Sequence, residues 1–177
     1  MKTLTYLSLI SFASCILAHS ALAEQTKNPV TTVVHEMLDR QQKNLTAAVE
    51  EMPAAKYSYS PTPEQMSFAH LVLHITESNY HLCSLLADVP AHKPWDPTGK
   101  EGKDELVAAL KDSFEYCNKA VAAMDDSKLG DTIKGHHGDP APRAWAAIAL
   151  TNDWADHYSA AAMYLRLNGM LPPTAKK

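Results

Sequence analysis

Cysteine and basic residues are both scarce in this 177-residue chain, and each shortage excludes a class of protein. Three cysteines are too few for a small domain built on a network of disulfides. The 16 lysines and arginines are outnumbered by 20 acidic residues, and they form no basic stripe of the kind that binds phosphate backbones. We therefore expect no nucleic-acid partner.

Long apolar segments are also missing, apart from one run near the N-terminus at residues 4–17. That run is shorter than the roughly 20 residues that a membrane-spanning helix needs. Lys2 precedes it, and Ala21-Leu22-Ala23 supplies the small-x-small pattern that signal peptidase cleaves. The sequence thus predicts a signal peptide at residues 1–23 and an exported mature chain, periplasmic or secreted, without an integral membrane segment. Lipoprotein cleavage at Cys15 is the second alternative, although Phe12 fits the first position of a lipoprotein box poorly.

The mature segment, residues 24–177, has a suitable length for one domain with a single core. Two cysteines remain in it, Cys83 and Cys117. An oxidising compartment would allow them to form one bridge between two helices, whereas two buried thiols would serve packing alone. The sequence leaves both alternatives open.

Apolar residues recur at helical spacing in four segments of the mature chain. Asn28-Pro29 predicts the start of the first helix, with Asn as the cap and Pro in the first turn, and Pro53 predicts its end. Thr62 and Gln65 have the spacing of a capping box and predict the start of the second helix. This helix is predicted to end near Asp88.

The third and fourth helices are predicted at about residues 103–124 and 142–168, and Gly169 has the position of a left-handed helix cap. No segment has a convincing strand pattern. Four amphipathic helices can bury their apolar faces together only as a compact bundle, so the predicted class is an all-α four-helix bundle. The residues predicted to face its core are Val33, Met37, Leu45 and Val49 in the first helix, Phe68, Leu71, Val72, Ile75, Leu82 and Leu86 in the second, and Leu106, Leu110, Phe114, Cys117, Val121 and Met124 in the third.

Histidine and aspartate on two helices form the strongest candidate for a functional site. Asp153 and His157 lie four residues apart on an inward-facing row of the fourth helix, where an unpaired charge would be costly. The pair has two interpretations: a satisfied contact in the core, or part of a metal site. The metal site requires a third ligand, and His74 is the histidine of the second helix nearest to its apolar stripe. Two imidazoles and one carboxylate suit Zn, Ni, Fe or Mn without choosing among them.

Other histidines are weaker candidates. His70 and His81 lie on the same flank of the second helix as His74, where they would orient a ligand or shuttle protons from bound water. The adjacent His136 and His137 lie in a glycine-rich loop, where such residues are usually solvated.

Motifs at both ends of the mature domain resemble those of DinB-like proteins. They are Glu51-Met52-Pro53, Lys56-Tyr57, Pro61-Thr62-Pro63-Glu64, Ser67-Phe68 and His74-Ile75 in the first half, and His157-Tyr158, Tyr164-Leu165-Arg166-Leu167-Asn168-Gly169 and Pro172-Pro173 at the end. The resemblance implies an up-and-down bundle whose metal ion is held by three histidines, one on the second helix and two, four residues apart, on the last. His74 and His157 match two of these positions. Asp153 occupies the third, and Ser159-Ala160 replaces the Gly-Gln pair that usually follows His-Tyr.

The resemblance also implies a class of reaction, because DinB-like proteins include metal-dependent hydrolases and thiol-dependent transferases. Low-molecular-weight thiols serve mainly in the reducing cytosol. Export therefore favours metal-assisted hydrolysis of a small-molecule substrate, or metal binding alone, over thiol transfer. The alternative is a non-catalytic bundle with a degenerate metal site, which binds a small ligand or has a structural role. Related bundles commonly associate, so a homodimer is a further expectation.

Overall fold

The computed structural model of the protein describes residues 27–90, 92, 97–135 and 138–176. Its four long helices are α1 (Pro29–Glu51), α2 (Phe68–Ser84), α3 (Lys103–Ala122) and α4 (Arg143–Leu167). Two short strands, β1 (Thr132–Lys134) and β2 (Pro140–Pro142), lie between α3 and α4. The predicted signal peptide at residues 1–23, the alternative cleavage at Cys15 and the pair His136-His137 lie outside the described residues.

Contacts between the helices fix their order and direction. α1 and α2 each pack on both α3 and α4. Hydrogen bonds, ion pairs and ring contacts show that α3 runs parallel to α2 but antiparallel to α1, and that α4 runs antiparallel to α2. The predicted all-α four-helix bundle is therefore confirmed. Its helices are directed up, down, down and up, so α2 and α3 are parallel instead of alternating as the up-and-down resemblance implied. Within the described part of the chain, no helix has the length and apolar character to cross a membrane.

The core is built from the apolar stripes that the sequence predicts, with one shift. All of the predicted residues of α2, α3 and the turns that follow them are buried. In α1, Leu45 and Val49 are buried as predicted. Val33 is 47% exposed and Met37 is only partly buried, and the inward positions are taken by Val34 and Leu38. One residue turns a helix by about 100°, so only one of two adjacent valines can face the core.

The start of α1 is capped from a distant part of the chain. Pro29 is the first helical residue, as predicted, but the predicted cap at Asn28 is wrong because its side chain makes no capping bond and its backbone is left-handed, with φ at 54°. The Asp126 carboxylate caps the helix instead, accepting from the backbone N–H groups of Val30 at 2.7 Å and Thr31 at 3.0 Å. A negative group at a helix N-terminus also interacts favourably with the helix dipole.

The predicted start of α2 is also wrong. Thr62 and Gln65 form a turn, in which the N–H of Gln65 donates to the carbonyl of Thr62 at 3.2 Å, and the helix begins only after Ser67. The Ser67 hydroxyl accepts from the N–H of His70 at 3.2 Å and is the real cap. The Tyr59 carbonyl accepts the first helical N–H at 3.0 Å. The segment from Tyr59 to Ser67 is therefore a loop, where the capping-box pattern predicted the first turn of the helix.

A two-stranded antiparallel sheet corrects the prediction that the chain has no strand. β1 and β2 pair with Ile133 opposite Ala141. The pattern was missed because β2 begins and ends with proline, Pro140 and Pro142, which a sheet tolerates only at an edge. Gly135 follows β1 directly. Glycine is required there because a Cβ atom would lie only 2.8 Å from the Ala141 Cβ.

Cys83 and Cys117 form a disulfide that joins α2 to α3, with their Cα atoms 5.2 Å apart. Both residues are fully buried. The alternative of two free buried thiols is therefore wrong. The bridge closes a loop with a sequence separation of 34 residues, and in the chain-entropy treatment a loop of that length stabilises the fold by roughly 3–4 kcal/mol.

Candidate metal centre

The structure brings His74 on α2 together with Asp153 and His157 on α4. One potential ligand atom from each of the three residues lies within 4.8 Å of the others. The rings of His74 and His157 contact each other, with their centroids 4.9 Å apart. These are the three residues that the sequence predicts as ligands. The packing of α2 against α4 brings His74 next to the Asp153–His157 pair.

A buried polar network next to this cluster fixes how α4 is rotated against α2. The Trp154 indole N–H donates to the Asn79 side-chain oxygen at 2.7 Å, and the Asn79 amide donates to the Ser113 hydroxyl at 2.9 Å. All three residues are fully buried. Because Trp154 must point at Asn79, the neighbouring Asp153 is turned toward the side of α2 that carries His74.

The His157 ring is oriented by its own helix. Its Nδ1 atom lies 2.7 Å from the Asp153 carbonyl oxygen, which can only accept a hydrogen bond, so Nδ1 carries a proton. In the neutral ring, Nε2 is then left with a free lone pair. Metal-binding histidines commonly use one ring nitrogen as the ligand while the other donates to a carbonyl or carboxylate.

The Asp153 carboxylate is the least satisfied group of the cluster. Its Oδ2 atom is buried and has no hydrogen-bond partner among the described residues, although His157 Nδ1 lies 3.3 Å away. The two observations agree because the Nδ1 proton is directed at the Asp153 carbonyl. The Nδ1–Oδ2 contact is thus an ion pair in which any hydrogen bond is poorly aligned. A simple satisfied core pair would not leave this oxygen bare, whereas a cation between the three side chains would occupy it.

Opposing influences set the pKa of His157. Burial, the largest of them, disfavours the imidazolium, and the side chain is only 13% exposed. The nearby Asp153 carboxylate and carbonyl, together with the charge of Asp156, favour it and leave the pKa of His157 above its ordinary value. Without a cation at the site, a proton on His157 is therefore the natural partner of the Asp153 charge.

A cleft of about 330 Å³ lies between α2 and α4 and exposes His74 and Asp153 to solvent. Its remaining lining residues are Ser78, His81, Leu82, Trp145, Ala149, Asn152 and Asp156. His81, one of the two weaker candidates on α2, belongs to this cleft. His70, the other, is exposed and lines a different depression beside Gly99 and Glu101.

Sequence reasoning missed three polar residues of the cleft: Ser78, Asn152 and Asp156. The signal for two of them was present, because Asn152 and Asp156 follow Trp145 at seven and eleven residues on one face of a helix. Exposed polar residues at helical spacing are common, however, and only the contact with α2 turns this face into a cleft wall.

Comparison with known families agrees with the geometry. The family model of the DinB superfamily matches residues 37–161, which include all three residues of the cluster. The chain belongs to the DinB superfamily. Comparison with curated protein sequences finds no significant match.

Solved DinB-like structures share the fold at low sequence identity. A DinB-like protein from Bacillus subtilis has a TM-score of 0.64 and 18% identity, covering 82% of this chain and 99% of its own. A DinB-like protein from Bacillus cereus ATCC 10987 has a TM-score of 0.62 and 13% identity, covering 79% and 93%. A conserved protein from Enterococcus faecalis has a TM-score of 0.61 and 20% identity, covering 78% and 96%. These likenesses establish the shared bundle.

Within the DinB superfamily fold, Asp153 is the departure that matters for the centre. The resemblance implied a third histidine at this position, and the structure puts a carboxylate there that lies close to two imidazoles and has one buried oxygen without a hydrogen-bond partner among the described residues. Carboxylate and imidazole both serve as ligands of divalent transition metals. The donor set therefore fits a metal ion despite the substitution.

Proposed function

We propose that this DinB superfamily protein binds a divalent metal ion, Zn, Ni, Fe or Mn, through His74, Asp153 and His157, and hydrolyses a small molecule in the adjoining cleft. The observation that carries the proposal is the Asp153 carboxylate: its Oδ2 is buried without a hydrogen-bond partner among the described residues, and one of its oxygens lies within 4.8 Å of a ring nitrogen of both His74 and His157. Three protein ligands leave positions open for water and substrate. When bound, such an ion lowers the pKa of water and polarises a carbonyl group.

Other groups of the protein would orient a ligand, transfer protons and contact the substrate. The Asp153 carbonyl holds the His157 ring in place through Nδ1, so Nε2 can remain a ligand throughout a reaction cycle. His81 and Asp156 reach the cleft from its two walls, where each can accept or deliver a proton. Leu82 and Trp145 line the end of the cleft farther from the cluster, where they can contact an apolar part of the substrate.

The disulfide supports export as part of this proposal. Disulfides form and persist in oxidising compartments and are rare in the reducing cytosol. The buried Cys83–Cys117 bridge fits a protein that folds after leaving the cytosol, as the sequence pattern at residues 1–23 predicts. Outside the cytosol the usual thiol cosubstrates are scarce, so hydrolysis is favoured over thiol transfer.

Metal content of the untagged mature protein, purified without chelator and measured by elemental analysis, tests the proposal. We expect close to one metal ion per chain in the wild type and less than about one-tenth of that in His74→Ala and His157→Ala. His70→Ala is the matched control, because His70 lies on the same helix as His74 but outside the cleft, and it should retain the metal.

Two outcomes would overturn the proposal. One is wild-type protein that stays metal-free after incubation with Zn, Ni, Mn and Fe(II), which would leave a non-catalytic bundle with a degenerate site. The other is a metal ion retained by both His→Ala variants, which would place it elsewhere. Hydrolysis of a panel of small esters and amides by loaded protein, compared with His157→Ala, then tests the reaction class.

A further inference from the structure

The cleft beside the metal centre is elongated along the groove between α2 and α4. Because these helices are antiparallel, His74 and Asp153 lie at one end of it, and Leu82 and Trp145 lie at the other. Asp153 and Trp145 are separated by eight positions on α4, which corresponds to about 12 Å along the helix axis. Ser78 lies between the two ends on α2. The cleft thus has an ion-binding end at His74 and Asp153, and a second end where Leu82 and Trp145 provide apolar and aromatic surface beside His81.

The charge of the lining has one sign. Asp153 and Asp156 both contribute carboxylates, and no lysine or arginine is among the described residues that line the cleft. Asp156 is exposed and forms no ion pair with any other described residue. Anion-binding sites need basic side chains or other directed donors, and the basic side chains of this lining are two histidines: His74, a proposed metal ligand, and His81, which lies next to Leu82 at the end away from Asp156.

The metal ion does not reverse this sign. A divalent cation with the Asp153 carboxylate has a net charge of +1, and an anionic group bound to the metal cancels it. Asp156, one turn beyond Asp153 on the same helix, is then the uncompensated charge at that end of the cleft. It attracts a positive group on the bound molecule and repels a negative one.

We infer that the cleft selects small neutral or cationic substrates with an apolar or aromatic tail and rejects anionic ones, with Asp156 as the specificity-determining residue. This inference rests on the proposed function, since it assigns the substrate class of that same centre. An ammonium group next to the reactive carbonyl would lie near Asp156, while the tail would contact Leu82 and Trp145. Thiol cosubstrates that carry carboxylates are disfavoured by the same charge.

Three hydroxamate probes that differ in one substituent test the inference on Zn-loaded protein by isothermal titration calorimetry. All are based on 4-phenylbutanohydroxamate, with an ammonium group, a hydrogen or a carboxylate on the carbon next to the carbonyl. We expect the ammonium probe to bind about three- to fivefold more tightly than the neutral one, and the carboxylate probe to bind more weakly by a similar factor. Acetohydroxamate, which lacks the tail, should bind at least about tenfold more weakly than the neutral probe.

Variants of Asp156 sharpen the test. Asp156→Asn should remove the preference for the ammonium probe, and Asp156→Lys should reverse it in favour of the carboxylate probe. Glu77→Gln is the matched control, because Glu77 is an exposed acid on α2 that does not line the cleft, and it should keep the wild-type order. Zn content is measured on every sample before titration.

The result separates the two proposals. Protein that binds no Zn contradicts the proposed function before any probe is added. Protein that binds Zn but takes the carboxylate probe as tightly as the ammonium probe overturns the substrate class and leaves the metal centre standing. An unchanged order in Asp156→Lys would likewise show that Asp156 does not set the specificity.

Discussion

Two polar clusters lie side by side along α2, one shared with α3 and α4 and the other with α4, and they differ in how their hydrogen bonds are satisfied. In the first, Asn79, Ser113 and Trp154 are fully buried and each makes at least one short hydrogen bond. In the second, Asp153 and His157 are partly exposed and one carboxylate oxygen has no hydrogen-bond partner among the described residues. A satisfied buried network stabilises a unique packing, whereas an unsatisfied carboxylate oxygen keeps a lone pair free for a ligand.

Removing the disulfide should have the largest effect on stability, because the bridge holds α2 and α3 together next to the satisfied cluster. We expect the double variant Cys83→Ala/Cys117→Ala to lose roughly 3–4 kcal/mol of unfolding free energy. Urea denaturation of the metal-free protein measures it. Wild-type protein unfolded in the presence of a reductant provides the comparison, and equal stability with and without reductant would contradict the expectation.

Breaking the satisfied cluster should come next. Asn79→Ala leaves the Trp154 indole N–H buried without a partner, and the full desolvation cost of that group then applies. We expect a loss of about 1–3 kcal/mol in the free energy of unfolding. Thr76→Ala on the same helix is a control of similar burial, because the Thr76 hydroxyl bonds only its own helix, to the Val72 carbonyl. A smaller effect for Asn79→Ala than for Thr76→Ala would contradict the importance of the network.

Neutralising the unsatisfied cluster should act in the opposite direction in metal-free protein. At a pH above the raised pKa of His157, where the imidazole is neutral, Asp153→Asn removes a buried charge without a counter-charge, so we expect the unfolding free energy to stay within about 1 kcal/mol of wild type or to rise. With Zn at about 100 times its dissociation constant, wild type should gain about 2.7 kcal/mol and the variant much less. Thermal denaturation with and without Zn measures both. A large loss of stability in metal-free Asp153→Asn would instead favour a structural core pair.

The smallest effect is expected at the other end of α2, where Asp88 pairs with Arg143 on α4. Hydrogen bonds from Arg143, then from Lys128, and the charges of both hold the pKa of Asp88 below its ordinary value. A carboxyl group whose pKa is lowered by folding stabilises the protein at neutral pH, and that contribution is lost as the pH falls through its ordinary value toward its value in the folded protein. Asp88→Asn should therefore flatten slightly the acid side of the melting temperature profile. Glu64→Gln, at an exposed position before α2, serves as the control.

Much of the fold followed from local patterns in the sequence. Helical spacing of Leu106, Leu110 and Phe114 predicted the buried face of α3, and Gly169 takes the left-handed cap that was predicted, with φ at 75°. The cap of α1 could not be predicted, because Asp126 is 96 residues away from Val30 in the sequence. The prediction of where α2 begins was wrong for a similar reason, because the Tyr59 carbonyl of the preceding loop accepts the hydrogen bond of the first helical N–H.

The candidate site divides in the same way. The four-residue spacing of Asp153 and His157 places both side chains on one face of a helix, and this was readable from sequence because helical geometry is local. Their contact with His74 depends on the packing of α2 against α4, which the buried Trp154–Asn79 hydrogen bond orients. The membership of the cleft, including Asp156, depends on that packing as well.

The sequence by itself determined four amphipathic helices, their order, and the residue types available as ligands. Only the tertiary structure decided that α2 and α3 run in the same direction, that Cys83 bonds Cys117, and that one oxygen of Asp153 has no hydrogen-bond partner in the described part of the chain. The physical reason is the separation in sequence over which each interaction acts. Helical periodicity and caps act over a few residues, whereas direction, disulfide pairing and the satisfaction of a buried charge are set by side chains that meet only when the bundle closes.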